Sequence, residues 1–311
     1  MSEYCFGVDI GGTTIKLGLF NEDGVVLDKW EIKTRTEENG QNILPDVAES
    51  IQAKMEEKSI NKENIIGVGM GVPGPVDKKG VVYNCVNLGW GQFNVNETLG
   101  KLLDMPVKCG NDANVAALGE MWKGGGQGYK NLVVVTLGTG VGGGIIIDGE
   151  ILTGANGAGG EIGHIHIQDG ELEPCGCGNY GCLEQYASAT GIVRLAKRKL
   201  ATVDKVTVLK KDTVTAKDVW DAVKFGDEVA VEVAECFGEY LGKGLANIAA
   251  VVNPEAFVIG GGVSKAGKVL LDYIQDSYKE YVFHGSRNAK FELATLENDA
   301  GIFGAAKLVL E

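Results

Sequence analysis

The chain has 311 residues, 44% of them apolar and 23% charged, with only 6 Pro. That is long enough to fill more than one core, and the composition excludes a disordered or low-complexity protein. The formal net charge of −13 works against a nucleic-acid surface, which needs clustered Lys and Arg. Met1-Ser2-Glu3-Tyr4 opens with neither a basic stretch nor a long apolar run, so no signal peptide or membrane anchor is expected and a cytoplasmic location follows. An anionic ligand must then be held locally, and 47 glycines gathered in turns point to backbone approaching ligands closely.

In chain order, Cys5-Phe6-Gly7-Val8 and Ile15-Lys16-Leu17-Gly18-Leu19-Phe20 read as two strands joined by a glycine turn, with a third strand after Asn21-Glu22-Asp23-Gly24. Ile43, Val47, Ile51 and Met55 recur every four residues and predict an amphipathic helix. Ile65-Ile66-Gly67-Val68-Gly69-Met70 predicts the next buried strand. Val107 to Gly110 is a short strand, and Ala113 to Trp122 has helical composition. The opening pattern recurs at Leu132 to Leu137, followed by Gly138-Thr139-Gly140-Val141-Gly142-Gly143-Gly144 and then Ile145-Ile146-Ile147, an internal duplication in which Thr136 stands where the first copy has Asp9. A long helix from Gly226 to Val252 is stopped by Asn253-Pro254. A strand at Ala256 to Ile259 and a small-residue helix from Asp299 to Leu310 complete the chain. Strand-then-helix alternation gives an α/β protein. The duplication places a small lobe at 1–114, with the closing helix 299–311 packing back on it, and a large lobe at 115–298, with a cleft between them.

Gly138 to Gly143 satisfies the G-x-G-x-x-G spacing, but β-branched residues follow where a dinucleotide site needs a helix, so the Rossmann reading fails its own context test. Both glycine turns are open to a plain hairpin reading. Equally, they can aim backbone N–H groups and Thr hydroxyls at phosphate oxygens. Paired strand-glycine-strand turns, one with a leading Asp, resemble the two phosphate elements of the actin-like ATPase and sugar kinase superfamily, and Gly260-Gly261-Gly262 resembles its adenosine element. The resemblance implies that Asp9 holds hydrated Mg²⁺, that Gly11, Gly12, Thr13, Thr14, Lys16 and Gly138, Thr139, Gly140 line the phosphates of ATP, and that Gly260, Gly261 and Gly262 border adenine.

Cysteine 175, 177 and 182 form Cys-x-Cys-x4-Cys, three soft thiolates that suit tetrahedral zinc with imidazole as the fourth ligand. A thiol cluster without metal is the alternative. The other four cysteines, Cys5, Cys85, Cys109 and Cys236, sit among apolar residues and read as packing thiols. Read as a strand, Ile162 to Ile167 puts His164 and His166 on one face, so spacing does not choose between them. Glu161-Ile162-Gly163-His164 followed by Cys175-Gly176-Cys177-Gly178-Asn179-Tyr180-Gly181-Cys182-Leu183-Glu184 is similar to the signature of the ROK family of repressors, open reading frames and sugar kinases. With the two phosphate turns, the resemblance covers Val8 to Gly262. It implies a two-lobed sugar kinase using ATP, Mg²⁺ and a structural Zn²⁺. In that family His164 both ligates zinc and touches a sugar hydroxyl, while Glu161 and Glu184 accept hydrogen bonds from other hydroxyls. Carboxylates are the acceptors able to take two hydroxyls at once, although either Glu alone also suits a solvated surface.

Asn111-Asp112-Ala113-Asn114 stands where a helix begins, so Asp112 reads either as an N-cap or, by the same resemblance, as the base that deprotonates the attacking hydroxyl beside Asn111. Asn87-Leu88-Gly89-Trp90 resembles a sugar-contacting loop, with Asn87 the polar group. Trp90 reads either as a sugar platform or as a core anchor. The implied reaction is phosphoryl transfer to the 6-hydroxyl of glucose. Other hexoses, N-acetylated amino sugars and polyphosphate as donor are the enzymatic alternatives, and a sugar-binding regulator is the non-enzymatic one. Family repressors carry a helix-turn-helix extension, for which a first strand at Tyr4 leaves no room. Expected partners are a sugar, ATP and further copies of the chain, with no nucleic acid and no membrane.

Overall fold

The computed structural model describes residues 3–310. Met1, Ser2 and Glu311, which end the expected lobe 1–114 and the closing helix 299–311, lie outside the described residues. The strands are β1 (Tyr4–Ile10), β2 (Thr14–Asn21), β3 (Val26–Lys33), β4 (Ile65–Val72), β5 (Val81–Val82), β6 (Phe93–Asn94), β7 (Val107–Asn111), β8 (Leu132–Leu137), β9 (Val141–Ile147), β10 (Glu150–Ile151), β11 (Ala256–Gly260) and β12 (Lys290–Leu293). The α-helices are α1 (Ile43–Lys58), α2 (Val95–Leu103), α3 (Asp112–Lys123), α4 (Glu184–Ala187), α5 (Ala189–Leu200), α6 (Ala216–Lys224), α7 (Glu228–Val252), α8 (Lys268–Tyr281) and α9 (Ala300–Leu310). The described residues divide into two compact units. The first is drawn from Met1–Gly128, Gly144–Gly160 and Leu296–Glu311, the second from Tyr129–Gly143 and Glu161–Thr295.

In the first unit the sheet order is β3-β2-β1-β4-β7, with β1 antiparallel to β2 and parallel to β4. The period of two sends Phe6, Val8 and Ile10, with their partners Leu19, Leu17 and Ile15, to one face. There they form a core with Ile43, Val47 and Ile51 of α1 and Val95 and Leu99 of α2. Each such side chain contributes about 1.5–3 kcal/mol by its burial. The opposite face carries Cys5 and Phe20 against Ile302, Ala306 and Val309 of α9. Glycine makes this approach possible: a Cβ at Gly69 would lie 1.6 Å from the Ala305 carbonyl oxygen and one at Gly7 2.1 Å from that of Ile302. The same device joins α3 to α9, since a Cβ at Gly119 would lie 2.2 Å from Ala300 O and one at Gly304 1.7 Å from Val115 O. The buried Glu120 adds a polar tie, accepting from Gly125 N at 2.8 Å and Leu296 N at 2.9 Å. Because α3 packs on α9 in this way, the first unit extends to Gly128, past the boundary near Asn114 that the duplication suggests.

The second five-stranded sheet has the order β10-β9-β8-β11-β12, with β10 antiparallel to β9 and β11 parallel to both β8 and β12. Strand for strand this repeats the first sheet, so the duplication seen in the sequence is a duplication of topology. In the second copy the return strand starts at Val141, four residues before the isoleucine run that marks it in sequence, because glycines can pair in a ladder as well as turn. Helix α7 is capped by Asp227, whose side chain accepts from Ala230 N, and is ended by Asn253 in the left-handed region. Its Gly238 and Gly242 face the backbone of α8 at Tyr273 and Tyr278.

All seven cysteines are free thiols. Cys5 and Cys85 are buried, Cys109 and Cys236 partly so, and burial pushes the Cys5 thiol up to about 12, which makes it inert packing. Among the described residues no helix is long and apolar enough to cross a membrane.

Candidate active site and metal centre

In the first unit, strand β7 ends at Asn111 and α3 begins at Asp112. The cap is Asn111, whose Oδ1 accepts from Asn114 N at 3.1 Å, so the N-cap reading of Asp112 does not hold. Instead Asp112 occupies the first helical position. Its Oδ1 accepts from Ala113 N at 2.8 Å and from Asn111 Nδ2 at 3.0 Å, which orients the carboxylate at the positive end of the helix. Asn111 Nδ2 also donates to Gly74 O at 3.1 Å, tying down the Pro73–Pro75 loop. Asn114, buried and given no role by the sequence, donates to Gly159 O at 3.3 Å, and a Cβ at Gly157 would lie 2.5 Å from Val76 N. The first turn of α3, the 73–76 segment and the 154–160 loop are thus one assembly. Asn87 lies exposed in the 3-10 turn Val86–Leu88. Trp90 is a core anchor: it is 5% exposed, donates from Nε1 to Gly40 O at 3.1 Å and meets Phe93 edge to face at 5.1 Å.

The β1–β2 turn is closed by Gly11 N donating to Thr14 O at 3.0 Å and is braced by Thr34, whose Oγ1 donates to Gly11 O at 2.7 Å. Gly11, Gly12 and Thr13 are exposed. A Cβ at Gly11 would lie 2.8 Å from Thr14 O, whereas one at Gly12 meets nothing within 4 Å. Asp9 pairs across the ladder with Lys16. Burial raises the Asp9 carboxyl and Lys16 opposes the shift, while the Lys16 ammonium donates to Asn298 O at 3.0 Å.

In the second unit, Gly138 N donates to Gly140 O at 3.0 Å, and Ala189 N, at the start of α5, donates to Gly138 O at 2.8 Å. Thr190 Oγ1 donates to Thr139 O at 2.7 Å. Space around a Cβ at Gly138 is open to 4 Å, but at Gly140 it would lie 2.5 Å from Glu184 Oε2, so Glu184 stands against this turn. Gly261 has φ +83° and a Cβ there would lie 2.5 Å from Leu137 O. The Gly260–Gly262 run is thereby brought to the end of β8, next to the second glycine turn.

The segment from Ile162 to His164 is a 3-10 turn, not the strand that would have put both imidazoles on one face. His164 turns toward the cysteines. His166 is engaged elsewhere, with Nδ1 2.9 Å from Tyr180 O and Nε2 2.9 Å from Asp169. One ligand atom each from His164, Cys175, Cys177 and Cys182 lies within 4.8 Å of all the others. His164 Nδ1 is 3.7 Å from Cys175 Sγ, and Cys177 Sγ is 3.7 Å from Cys182 Sγ. A tetrahedral zinc ion with ordinary bond lengths sets its ligands about 3.6 Å apart for nitrogen to sulfur and about 3.8 Å for sulfur to sulfur. The donor set and its spacing fit the ion. Both carboxylates singled out in the sequence border this centre, Glu161 Oε2 at 3.9 Å from His164 Nε2 and Glu184 Oε1 at 3.7 Å from Nδ1.

A model of the ROK family matches residues 5–311. A glucokinase from Halalkalibacterium halodurans is 45% identical over 310 residues, spanning 97% of this chain and 94% of that protein. Among solved structures, the chain is similar to a ROK family glucokinase from Streptomyces griseus in complex with glucose and AMPPNP, at 34% identity and a TM-score of 0.73 over 98% of each chain. It is also similar to a ROK hexokinase from Thermus thermophilus, at 31% identity and a TM-score of 0.80 over 97% of this chain and 96% of that one.

Proposed function

The chain belongs to the ROK family, with its actin-like ATPase and sugar kinase fold, and we propose from that membership that it is an ATP-dependent glucokinase making glucose 6-phosphate. The observation that carries the reading is the β7–α3 junction. Asn111 is the cap, and Asp112, at the first helical position, is a carboxylate oriented by Ala113 N and Asn111 Nδ2. In this reading Asp112 accepts the proton of the 6-hydroxyl as that oxygen bonds to the γ-phosphorus and ADP leaves. Asn87, Asn111, Glu161, His164 and Glu184 hold the remaining hydroxyls, which fixes the nucleophile for in-line attack.

On the nucleotide side, Gly11, Gly12, Thr13, Thr14 and Lys16 in the first unit and Gly138, Thr139 and Gly140 in the second bind phosphate oxygens, while Gly260 to Gly262 border adenine. The open space at Gly12, Gly138 and Gly262 supports this division. Asp9 would hold hydrated Mg²⁺, which would supply charge neutralisation at the phosphates. Zinc, held by His164, Cys175, Cys177 and Cys182, is structural: it ties the turn that follows Glu161 to the loop that leads into Glu184. The protein is a cytoplasmic enzyme in this reading, a homodimer or higher homo-oligomer.

A rate panel over hexoses and phosphoryl donors tests the proposal. Glucose with ATP is expected to give the highest kcat/KM. A value about tenfold higher for an N-acetylated amino sugar, another hexose or polyphosphate would replace glucose or ATP, since a tenfold ratio is about 1.4 kcal/mol of transition-state preference. Glucose binding without turnover would make the chain a regulator.

A further inference from the structure

Helix α4 is a single turn, Glu184–Ala187, too short to hold itself together, yet it carries a carboxylate that the proposed function needs at a set position. The metal ligands hold its first residue, through Cys182, which leads into the turn, and through Cys175, whose Sγ lies 2.8 Å from Glu184 Oε1. The other restraint comes from a group with no assigned role, Glu171, four residues before Cys175. Its side chain is 3% exposed. One oxygen accepts from Leu172 N at 2.9 Å and Glu173 N at 3.1 Å, so the carboxylate is locked onto its own loop. Arg194 lies 2.7 Å from it and Arg198 donates to both oxygens at 3.2 and 3.3 Å, which fastens the loop to α5. Tyr186, two residues after Glu184, donates its hydroxyl to the same carboxylate.

The Tyr186 ring is buried and stacked on Tyr240 of α7 at 4.1 Å and 22°, so it has one orientation in which to make that bond. Gln185 brackets the turn from the other side, accepting from Cys182 N at 3.1 Å and donating to Glu173 O at 2.9 Å. Burial pushes the Glu171 carboxyl up, but the hydrogen bonds from Tyr186, Glu173 N and Arg198, with the charge of Arg194, bring it down to about 2. The group is therefore an anion at neutral pH and a strong acceptor.

We propose that Glu171 is a positioning residue for the sugar site: through Tyr186 it fixes the far end of the α4 turn and thereby aims Glu184, in addition to the hold that the metal ligands have on that carboxylate. The inference rests on the proposed role of Glu184 in holding glucose. Tyr186→Phe is the cleanest perturbation, because it removes the hydroxyl and leaves the stacked ring, the Glu171–arginine pairs and all four metal ligands in place. The measurements are glucose KM, ATP KM and kcat, with zinc content by elemental analysis, for the parent, Tyr186→Phe, Glu184→Gln and the double variant. Loss of one hydrogen bond to a charged group predicts a rise in glucose KM of about tenfold. ATP KM and kcat should change less than about threefold, and zinc should stay at the parental level. Because Tyr186 acts through Glu184, the rise should shrink to less than about twofold in the Glu184→Gln background.

A folded Tyr186→Phe protein with parental zinc and glucose KM within about twofold of the parent overturns the inference. So does a tenfold rise that persists when Glu184 is already Gln. Should Tyr186→Phe fail to fold, Glu171→Gln is put through the same cycle with the same expectations. If the parent turns over no glucose, the functional reading falls and takes this inference with it. If the parent turns over glucose and both variants are normal, only the inference falls.

Discussion

Replacing Asp112 by Asn separates catalysis from folding, because the cap of α3 belongs to a different residue. Asp112 Oδ1 accepts from Ala113 N and Asn111 Nδ2, and an amide oxygen can keep both. The amide nitrogen then takes the place of Oδ2, turning an acceptor of a proton into a donor. The cap itself belongs to Asn111, and loss of the favourable charge at the helix N-terminus costs stability about 0.3–1 kcal/mol. Loss of a positioned base lowers kcat about 10²–10⁴-fold, which at about 1.4 kcal/mol per factor of ten is roughly 3–5.5 kcal/mol of barrier. The two effects differ several-fold in energy and are read separately, stability by thermal unfolding and the chemical step by coupled assay of ADP release at saturating glucose and ATP. Calorimetric titration should show glucose still binding, since the Asn amide nitrogen can donate to the oxygen of the same hydroxyl. A folded Asp112→Asn enzyme retaining more than about a tenth of parental kcat contradicts the assignment of the base.

Three further perturbations address the other parts of the site. Gly138→Val places a side chain into open space, so the protein should fold while ATP KM rises about tenfold or more through lost backbone contact with phosphate. Normal ATP kinetics in that variant would make the turn an ordinary hairpin. Cys177→Ser replaces an exposed thiol and should lower zinc well below one ion per chain with little direct cost in packing, whereas full zinc occupancy would remove Cys177 from the ligand set. Glu171 has its carboxyl depressed to about 2 from an ordinary 4.5, so its contribution is complete above pH 4.5 and is lost as pH falls toward 2. That contribution is about 3 kcal/mol at most, and Glu171→Gln should flatten the acid limb of stability between those values. An unchanged acid limb in denaturant titrations would mean that the network is not ionic.

Local signals in the sequence were enough to place β1 to β4, β7 to β9 and β11, the helices α1, α3, α7 and α9 and the repeated hairpins, because each rests on periodicity, composition or a stop such as Asn253-Pro254, whereas the short strands β5, β6, β10 and β12 and the helices α2, α5, α6 and α8 were not placed. The limits appear where identity depends on a boundary of one residue. Whether Asn111 or Asp112 caps α3 turns on where β7 ends, and that is set by its pairing with β4 through Val72 and Asn111, a partner far away in sequence. The choice between His164 and His166 has the same character. An alternating pattern suggests a strand, but the 3-10 turn at Ile162–His164 rotates the two rings apart, with Gly163 pressed to 2.1 Å from Val141 O were it to carry a Cβ. Glu171 gave no signal at all. Its side-chain partners come from α4 and α5, and a Glu between Asp169 and Glu173 looks like any solvated carboxylate. Asn114 had one, as the last residue of Asn-Asp-Ala-Asn, but its role is seen only once the 154–160 loop is in place.

The glycine content carries two messages that composition alone merges. Abundant glycine suggests backbone close to ligands, yet at Gly7, Gly69, Gly119 and Gly304 a Cβ would lie 1.6–2.2 Å from a carbonyl oxygen of this same chain. Those glycines exist so that α9 can lie on the first sheet and α3 on α9. At Gly12, Gly138 and Gly262 nothing stands within 4 Å, and each sits in one of the three turns assigned to the nucleotide. Open space alone does not mark a ligand, because surface turns such as Gly149 and Gly226 share it. What distinguishes the three is open space combined with a turn braced by its own unit, as Thr34 braces Gly11, the start of α5 braces Gly138 and the Ser264 hydroxyl braces Gly261. Such a turn keeps its N–H groups aimed without a ligand, so little ordering has to be supplied on binding. The two classes therefore separate by phenotype: a side chain at Gly69 costs the fold, and one at Gly138 costs ATP.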